Sequence, residues 1–191
     1  MSEFDPAQGT VLTAVARASI ESALGCTGEP APDAAWLHET GACFVTLTQD
    51  GELRGCIGTI DPHRSLGEDV RSNARAAAFR DPRFAPLTAR ELERTRIEVS
   101  VLSPREELAF TSQADALRQL RPGTDGVVLE FGAHRGTFLP QVWDQLPTPD
   151  QFMGELKRKA GLPPGFWAPG VRLFRYQVRK SSEPVREGFA R

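Results

Sequence analysis

Residues 42–60 read Ala42-Cys43-Phe44-Val45-Thr46-Leu47-Thr48-Gln49-Asp50-Gly51-Glu52-Leu53-Arg54-Gly55-Cys56-Ile57-Gly58-Thr59-Ile60. Two runs rich in strand-forming residues flank Asp50-Gly51, which predicts a β-hairpin closed by a two-residue type I′ turn. A turn of that length sets the register. Gln49 is expected opposite Glu52, Leu47 opposite Arg54, Val45 opposite Cys56 and Cys43 opposite Gly58. Arg54, Cys56, Cys43 and Val45 then share one face. Phe44, Leu53 and Ile57 share the other, which is assigned to the core. In this register Cys43 and Cys56 are diagonal neighbours about 7–8 Å apart, too far to favour a disulfide. Arg54 lies beside Cys56, where a guanidinium favours the thiolate. A bulge at Gly55 would turn Arg54 away. Two glycines around Cys56 inside a strand pack nothing, so something is expected to approach the backbone closely there.

Upstream, Asp5-Pro6 caps a helix whose apolar positions run from Val11 to Ala23, with Gly25 as its stop. Residues 27–35 form a loop, and Cys26 at its edge is read as a small packed residue. Downstream, Ser65-Leu66-Gly67-Glu68 is a capping box. It opens a helix with Leu66, Val70, Ala74 and Ala77 on the buried stripe; Arg71, Arg75 and Arg80 are read as its solvated face. Asp81-Pro82 ends that helix, and Thr88 to Glu91 is a second capping box. Arg96 to Ser103 alternates as a strand, and Ser112 caps a short helix. Val127–Phe131 and Gly136–Val142 read as a hairpin joined through Gly132 to Arg135. Pro149 opens a helix ending at Gly161, and Val171–Val178 is a last strand. The pattern predicts an α+β fold of antiparallel sheets with flanking helices. It forms a single domain over residues 1–191, with a frayed polar tail from about residue 180.

Composition bounds the function. The 191 residues are 40% hydrophobic and 25% charged, with a net charge of −2. That is an ordinary globular balance with no footprint of nucleic-acid or anionic-membrane binding. Three cysteines, an odd and low count, fit a reducing compartment. The N-terminus has no signal-peptide pattern, and no apolar run has membrane-spanning length. A cytoplasmic location is expected. His38, His63 and His134 are scattered and no Cys or His pair has ligand spacing, so no metal site is expected. Gly55 and Gly58 match neither nucleotide-binding fingerprint, so no cofactor is expected. The remaining chemistry is a cysteine nucleophile at Cys56, served by Arg54 and by His134, His63 or Glu98 as base. Spacing alone leaves open whether Cys56 reacts or is a buried small residue.

The stretch Leu53-Arg54-Gly55-Cys56-Ile57-Gly58-Thr59 resembles the signature of the AMMECR family. Gly41–Leu47, Asp81–Phe84, Ile97–Leu102, Arg135–Val142 and Lys159–Leu162 resemble its further blocks, in the same order. The resemblance implies two unequal lobes of antiparallel sheet around a cleft faced by the signature. It also implies a place in an AmmeMemoRadiSam system, beside a Memo-type protein and a radical SAM enzyme. Carried onto this chain, it points to Cys56 as nucleophile or thiol ligand. Arg54, Gly55, Gly58 and Thr59 would shape the pocket, with Arg83, Glu98, Arg135 and Gln141 as further candidates. Structural alternatives stand beside two of these: Arg83 binding loop carbonyls, and Glu98 pairing with an arginine across the sheet. Two functions follow. One is a thiol-dependent enzyme acting on a small molecule, with Glu98 or His134 moving protons. The other is a non-catalytic adaptor that binds protein in the groove at the signature glycines.

Overall fold

A computed structural model describes residues 5–184. The chain divides into two compact units. One spans residues up to Leu102 and takes up the chain again from Arg179; the other spans Ser103–Val178. Both are α+β, as the sequence predicts.

The first unit contains α1 (Pro6–Ala23), a 3-10 turn at Ala35–His38, β1 (Thr40–Gly41), β2 (Cys43–Gln49) and β3 (Glu52–Gly58). It continues with β4 (Arg64–Ser65), α2 (Leu66–Phe79), the short α3 (Ala89–Leu92) and β5 (Thr95–Leu102). The second unit contains β6 (Glu106–Glu107), α4 (Gln113–Gln119), β7 (Gly126–Phe131), β8 (His134–Phe138), a 3-10 turn at Pro140–Asp144, α5 (Pro149–Lys159) and β9 (Arg172–Tyr176). Strand β10 (Val178–Ser182) carries the chain back into the first unit. There the sheet order is β10-β5-β2-β3, with β1 and β4 paired separately. The second sheet runs β6-β9-β7-β8. Every pairing with a defined register is antiparallel.

Local chemistry accounts for the elements. Asp5 caps α1 through Ala7 N–H. Both predicted capping boxes are present, at Ser65/Glu68 and Thr88/Glu91. Leu12, Val15, Ala16 and Ile20 of α1 and Val70, Ala74 and Ala77 of α2 form one core with Cys43, Val45, Leu47, Ile97 and Val99. The second core gathers Phe152, Met153 and Leu156 of α5 with Val127, Leu129, Trp143 and Leu173. Its hairpin is tighter than expected: His134 and Arg135 lie inside β8, and only Gly132-Ala133 turn the chain.

The first hairpin turns as predicted, with positive φ at both Asp50 (51°) and Gly51 (86°). Its register then departs from expectation. Gln49 pairs with Glu52 and Thr48 with Leu53, but Leu47 pairs with Gly55, Thr46 with Cys56 and Val45 with Ile57. Arg54 is the extra residue of a β-bulge, which turns every later side chain of β3 to the other face. The predicted faces are corrected accordingly. Cys43, Val45, Leu47, Gly55 and Ile57 face the helices, whereas Phe44, Thr46, Cys56 and Gly58 face away. The cause is the apolar pattern. Cys43, Val45 and Leu47 must face the helices to meet Ile97 and Val99, and an unbulged hairpin would place Arg54 among them.

The close approach expected at the glycines is made by the chain itself. A Cβ at Gly55 would sit 2.2 Å from the Ala77 carbonyl oxygen of α2, and one at Gly58 would sit 2.2 Å from the Phe44 ring. At Gly55 the obstacle is helix backbone, which cannot swing aside. Gly55→Ala is therefore expected to destabilise the chain by about 2 kcal/mol, read as a lower urea midpoint at unchanged slope. A midpoint equal to wild type would show that α2 is not seated on β3 in this way.

The expectation of fraying from about residue 180 is also corrected. Residues 178–182 form β10 beside β5, and Glu183 is buried. Residues 185–191 lie outside the described part.

Candidate functional site

Strand β3 is the free edge of its sheet, so half of its backbone groups need partners from outside the ladder. At Cys56 they find them in the segment after α2. Cys56 N–H donates to Asp81 Oδ2 at 2.8 Å, and Arg83 Nη2 donates to the Cys56 carbonyl at 3.4 Å. Both Cys56 backbone groups therefore point outward, so Thr46 and Cys56 form the narrow type of antiparallel pair, with close side chains. Thr46 Oγ1 and Cys56 Sγ accordingly lie 3.3 Å apart, within hydrogen-bonding distance.

Asp81 is buried and organises this edge. Besides Cys56 N–H, its carboxylate accepts Arg83 N–H at 3.1 Å, Arg83 Nε at 2.9 Å and Arg83 Nη2 at 2.6 Å. The Arg83 guanidinium, with the two N–H donors as further help, holds the Asp81 carboxyl well below the usual carboxylate range despite its burial. Arg83 is in turn pushed up, chiefly by its hydrogen bonds to Asp81. The Arg83 side chain remains 52% exposed. The arrangement is a half-buried thiol with a neighbouring hydroxyl and a solvent-accessible cation, on a strand whose edge is locked.

Arg54 does not stand beside the thiol, correcting the predicted register. From the bulge it donates to Glu91 Oε1 at 3.1 Å and to the Ala85 carbonyl at 2.8 Å, and it stacks on Phe84 at 5.8 Å. Glu91 is held down by Thr88 N–H first and by Arg54 second. Arg54 thus braces the loop that carries Asp81 and Arg83. Glu98 lies on β5 opposite Thr46, one strand beyond it from Cys56. Its carboxylate meets Lys180 Nζ at 3.4 Å and accepts Ser182 Oγ at 3.1 Å on the far side. Thr59 donates to the buried Asp69 at 2.9 Å, within a network that also takes Arg64, Asn73 and Cys43 N–H. Cys43 is buried, and burial pushes its thiol up, with Asp69 adding to the effect. Cys26 is exposed rather than packed, and all three cysteines are free.

His134, Arg135 and Gln141 belong to the second unit. His134 Nδ1 lies 3.0 Å from the Ala160 carbonyl, Arg135 Nε lies 3.3 Å from Glu130, and Gln141 is exposed on a 3-10 turn. The structure therefore gathers Cys56, Gly55, Gly58 and Arg83 with Thr46 and Asp81, two residues that sequence reasoning passed over. Among the described residues no three or more His, Cys, Asp or Glu side chains converge to hold a metal ion, and no helix is long and apolar enough to cross a membrane.

The fold and this edge-locked cysteine define an α+β protein with two four-stranded antiparallel sheets, a small two-stranded one and a half-buried thiol at a sheet edge. The AMMECR1 family model matches residues 13–181, and the chain belongs to that family. It is 37% identical to Protein MJ0810 of Methanocaldococcus jannaschii, over 90% of this chain and 88% of that protein. It is 35% identical to Protein MK0488 of Methanopyrus kandleri, over 95% of this chain and 91% of that protein. The crystal structure of the uncharacterized protein PH0010 from Pyrococcus horikoshii superposes with a TM-score of 0.83 at 32% identity. It covers 97% of this chain and 96% of that one.

Proposed function

We propose that this protein is a cytoplasmic, thiol-dependent enzyme acting on a small molecule through Cys56, together with a Memo-type protein and a radical SAM enzyme. The partner part of this reading rests on the family resemblance. The chemical part rests on one observation: Cys56 has both backbone groups fixed by Asp81 and Arg83, its thiol on Thr46, and a cation open to solvent beside it. A thiol held in one place beside a positive charge is the environment that favours nucleophilic sulfur. Arg83, rather than Arg54, is the cation that contacts Cys56, through its carbonyl. Thr46 is the group in contact with the sulfur. Glu98 is turned toward Lys180, and His134 is committed to a backbone carbonyl.

The alternative adaptor reading relied on open space over Gly55 and Gly58. Ala77 and Phe44 occupy that space, so the glycines lend it no support.

Alkylation with iodoacetamide near neutral pH tests the proposal, with site-resolved mass spectrometry as readout. Cys56 is expected to react several-fold faster than the exposed Cys26, and Cys43 slowest of all. Arg83→Gln should slow Cys56 and leave Cys26 unchanged. Equal rates at Cys56 and Cys26, or full function in a folded Cys56→Ser variant, would overturn it.

A further inference from the structure

Between the C-terminal half of α1, the 25–31 loop and the middle of α2 lies a pocket of about 640 Å³, lined by Arg71, Arg75, Ser22, Cys26 and Thr27. Glu21 and Glu29 also line it. The floor is fixed, because Ser19 Oγ of α1 donates to the Arg71 carbonyl of α2 at 3.1 Å. The helices cover the sheet face opposite the Cys56 thiol, so this pocket is separate from the site above.

The two arginines are the informative feature. They stand one turn apart on α2, where like charges repel and cost a helix a few tenths of a kcal/mol. Among the described residues neither guanidinium meets a carboxylate or any other acceptor, although Glu21 and Glu29 share the wall. Elsewhere in the first unit Arg17 pairs with Glu183, Arg54 with Glu91, Arg64 with Asp69 and Arg83 with Asp81. Two guanidinium groups lining a pocket that also carries hydroxyl groups suit a planar or tetrahedral oxyanion, which such forks grip with paired hydrogen bonds.

We infer that this pocket binds a small molecule through a carboxylate or phosphate group held by Arg71 and Arg75. The inference does not depend on any reactivity of Cys56.

Cys26 on the pocket wall provides the readout. Its alkylation by iodoacetamide is measured on the full chain at constant ionic strength, with chloride replaced by inorganic phosphate in one arm and by succinate in another. Saturable protection of Cys26 is expected in at least one arm, reaching about tenfold at ten times the dissociation constant, while Cys56 is labelled at its unprotected rate. The protecting arm identifies the group as phosphate or carboxylate. The R71Q/R75Q double variant, with circular dichroism confirming its fold, should lose the protection, and R71K/R75K should retain part of it. No protection in either arm, or protection that persists in R71Q/R75Q, overturns the inference.

Discussion

Glu183→Ala is expected to destabilise the protein by about 3–5 kcal/mol, the range for removing one member of a buried ion pair. Glu183 follows the last strand, yet its carboxylate meets Arg17 of α1 through Nε at 2.5 Å and Nη2 at 2.6 Å, across 166 residues of sequence. The same carboxylate accepts Ile97 N–H at 3.0 Å, and Glu183 N–H donates to the Ile97 carbonyl at 2.9 Å. Arg17 also reaches the Thr95 carbonyl at 2.7 Å. Both side chains are 10% exposed. Removing the acid leaves a guanidinium enclosed without its counter-charge and a strand N–H without its acceptor. It also releases the segment that closes the β10 edge. Denaturant unfolding of Glu183→Ala, Arg17→Ala and the double variant makes the test. Each single change should lower the midpoint sharply, and the double should lose clearly less than their sum, since the two side chains act as a unit. A Glu183→Ala midpoint within about 0.5 kcal/mol of wild type, the scatter of ordinary surface changes, would mean that the tail does not hold α1 to the sheet.

That contact also shows where reading from sequence stops. Arg179-Lys180-Ser181-Ser182-Glu183 is polar throughout and reads as a solvated end. It is an edge strand, the one place in a sheet where a polar run is at home, and its partner is far away in the chain. Features decided within a few residues were legible: the Asp50-Gly51 turn, both capping boxes, the helix stripes and the antiparallel α+β class. The bulge was legible in principle. The core-facing residues Cys43, Val45 and Leu47 of β2 and Ile57 of β3 all have odd numbers, whereas a two-residue turn after Gln49 pairs odd positions with even ones. Ile57 can join the buried face of β2 only if one residue is inserted ahead of it, and Arg54 is the residue least suited to the core; Leu53, which precedes the bulge, is exposed instead of lying in the core as expected. The candidate site was legible as a location, through Cys56 between its glycines, but not as a set of contacts. Thr46 was hidden by the one-residue slip. Asp81 was hidden because a residue that ends a helix before proline gives no sign that it also caps the edge of a strand 25 residues upstream.

Asp81→Ala is the substitution expected to disturb fold and site together. Its carboxylate is the acceptor for Cys56 N–H and the anchor of Arg83, so its loss should cost about 3 kcal/mol. The pH dependence has a definite sign. The folded carboxyl titrates well below the unfolded value of about 4, so on acidification the unfolded chain takes up this proton first. The contribution of Asp81 is therefore complete above the unfolded value and declines as pH falls below it toward the folded one. Asp81→Asn, which keeps the shape but not the charge, should thus differ from wild type by a constant amount at neutral pH and converge on it in acid. If the gap between the two stayed the same down to pH 2, the carboxylate would not be stabilised by Arg83 in the way the geometry requires. The second readout separates the site from the fold. With Asp81 gone, Arg83 loses its anchor and the β3 edge its cap, so alkylation of Cys56 should slow toward that of Cys26 in a variant that remains folded. Slow labelling there, alongside normal Cys56 labelling in an equally destabilised Gly55→Ala control, would tie the behaviour of the thiol to the Asp81–Arg83 clamp rather than to loss of stability alone.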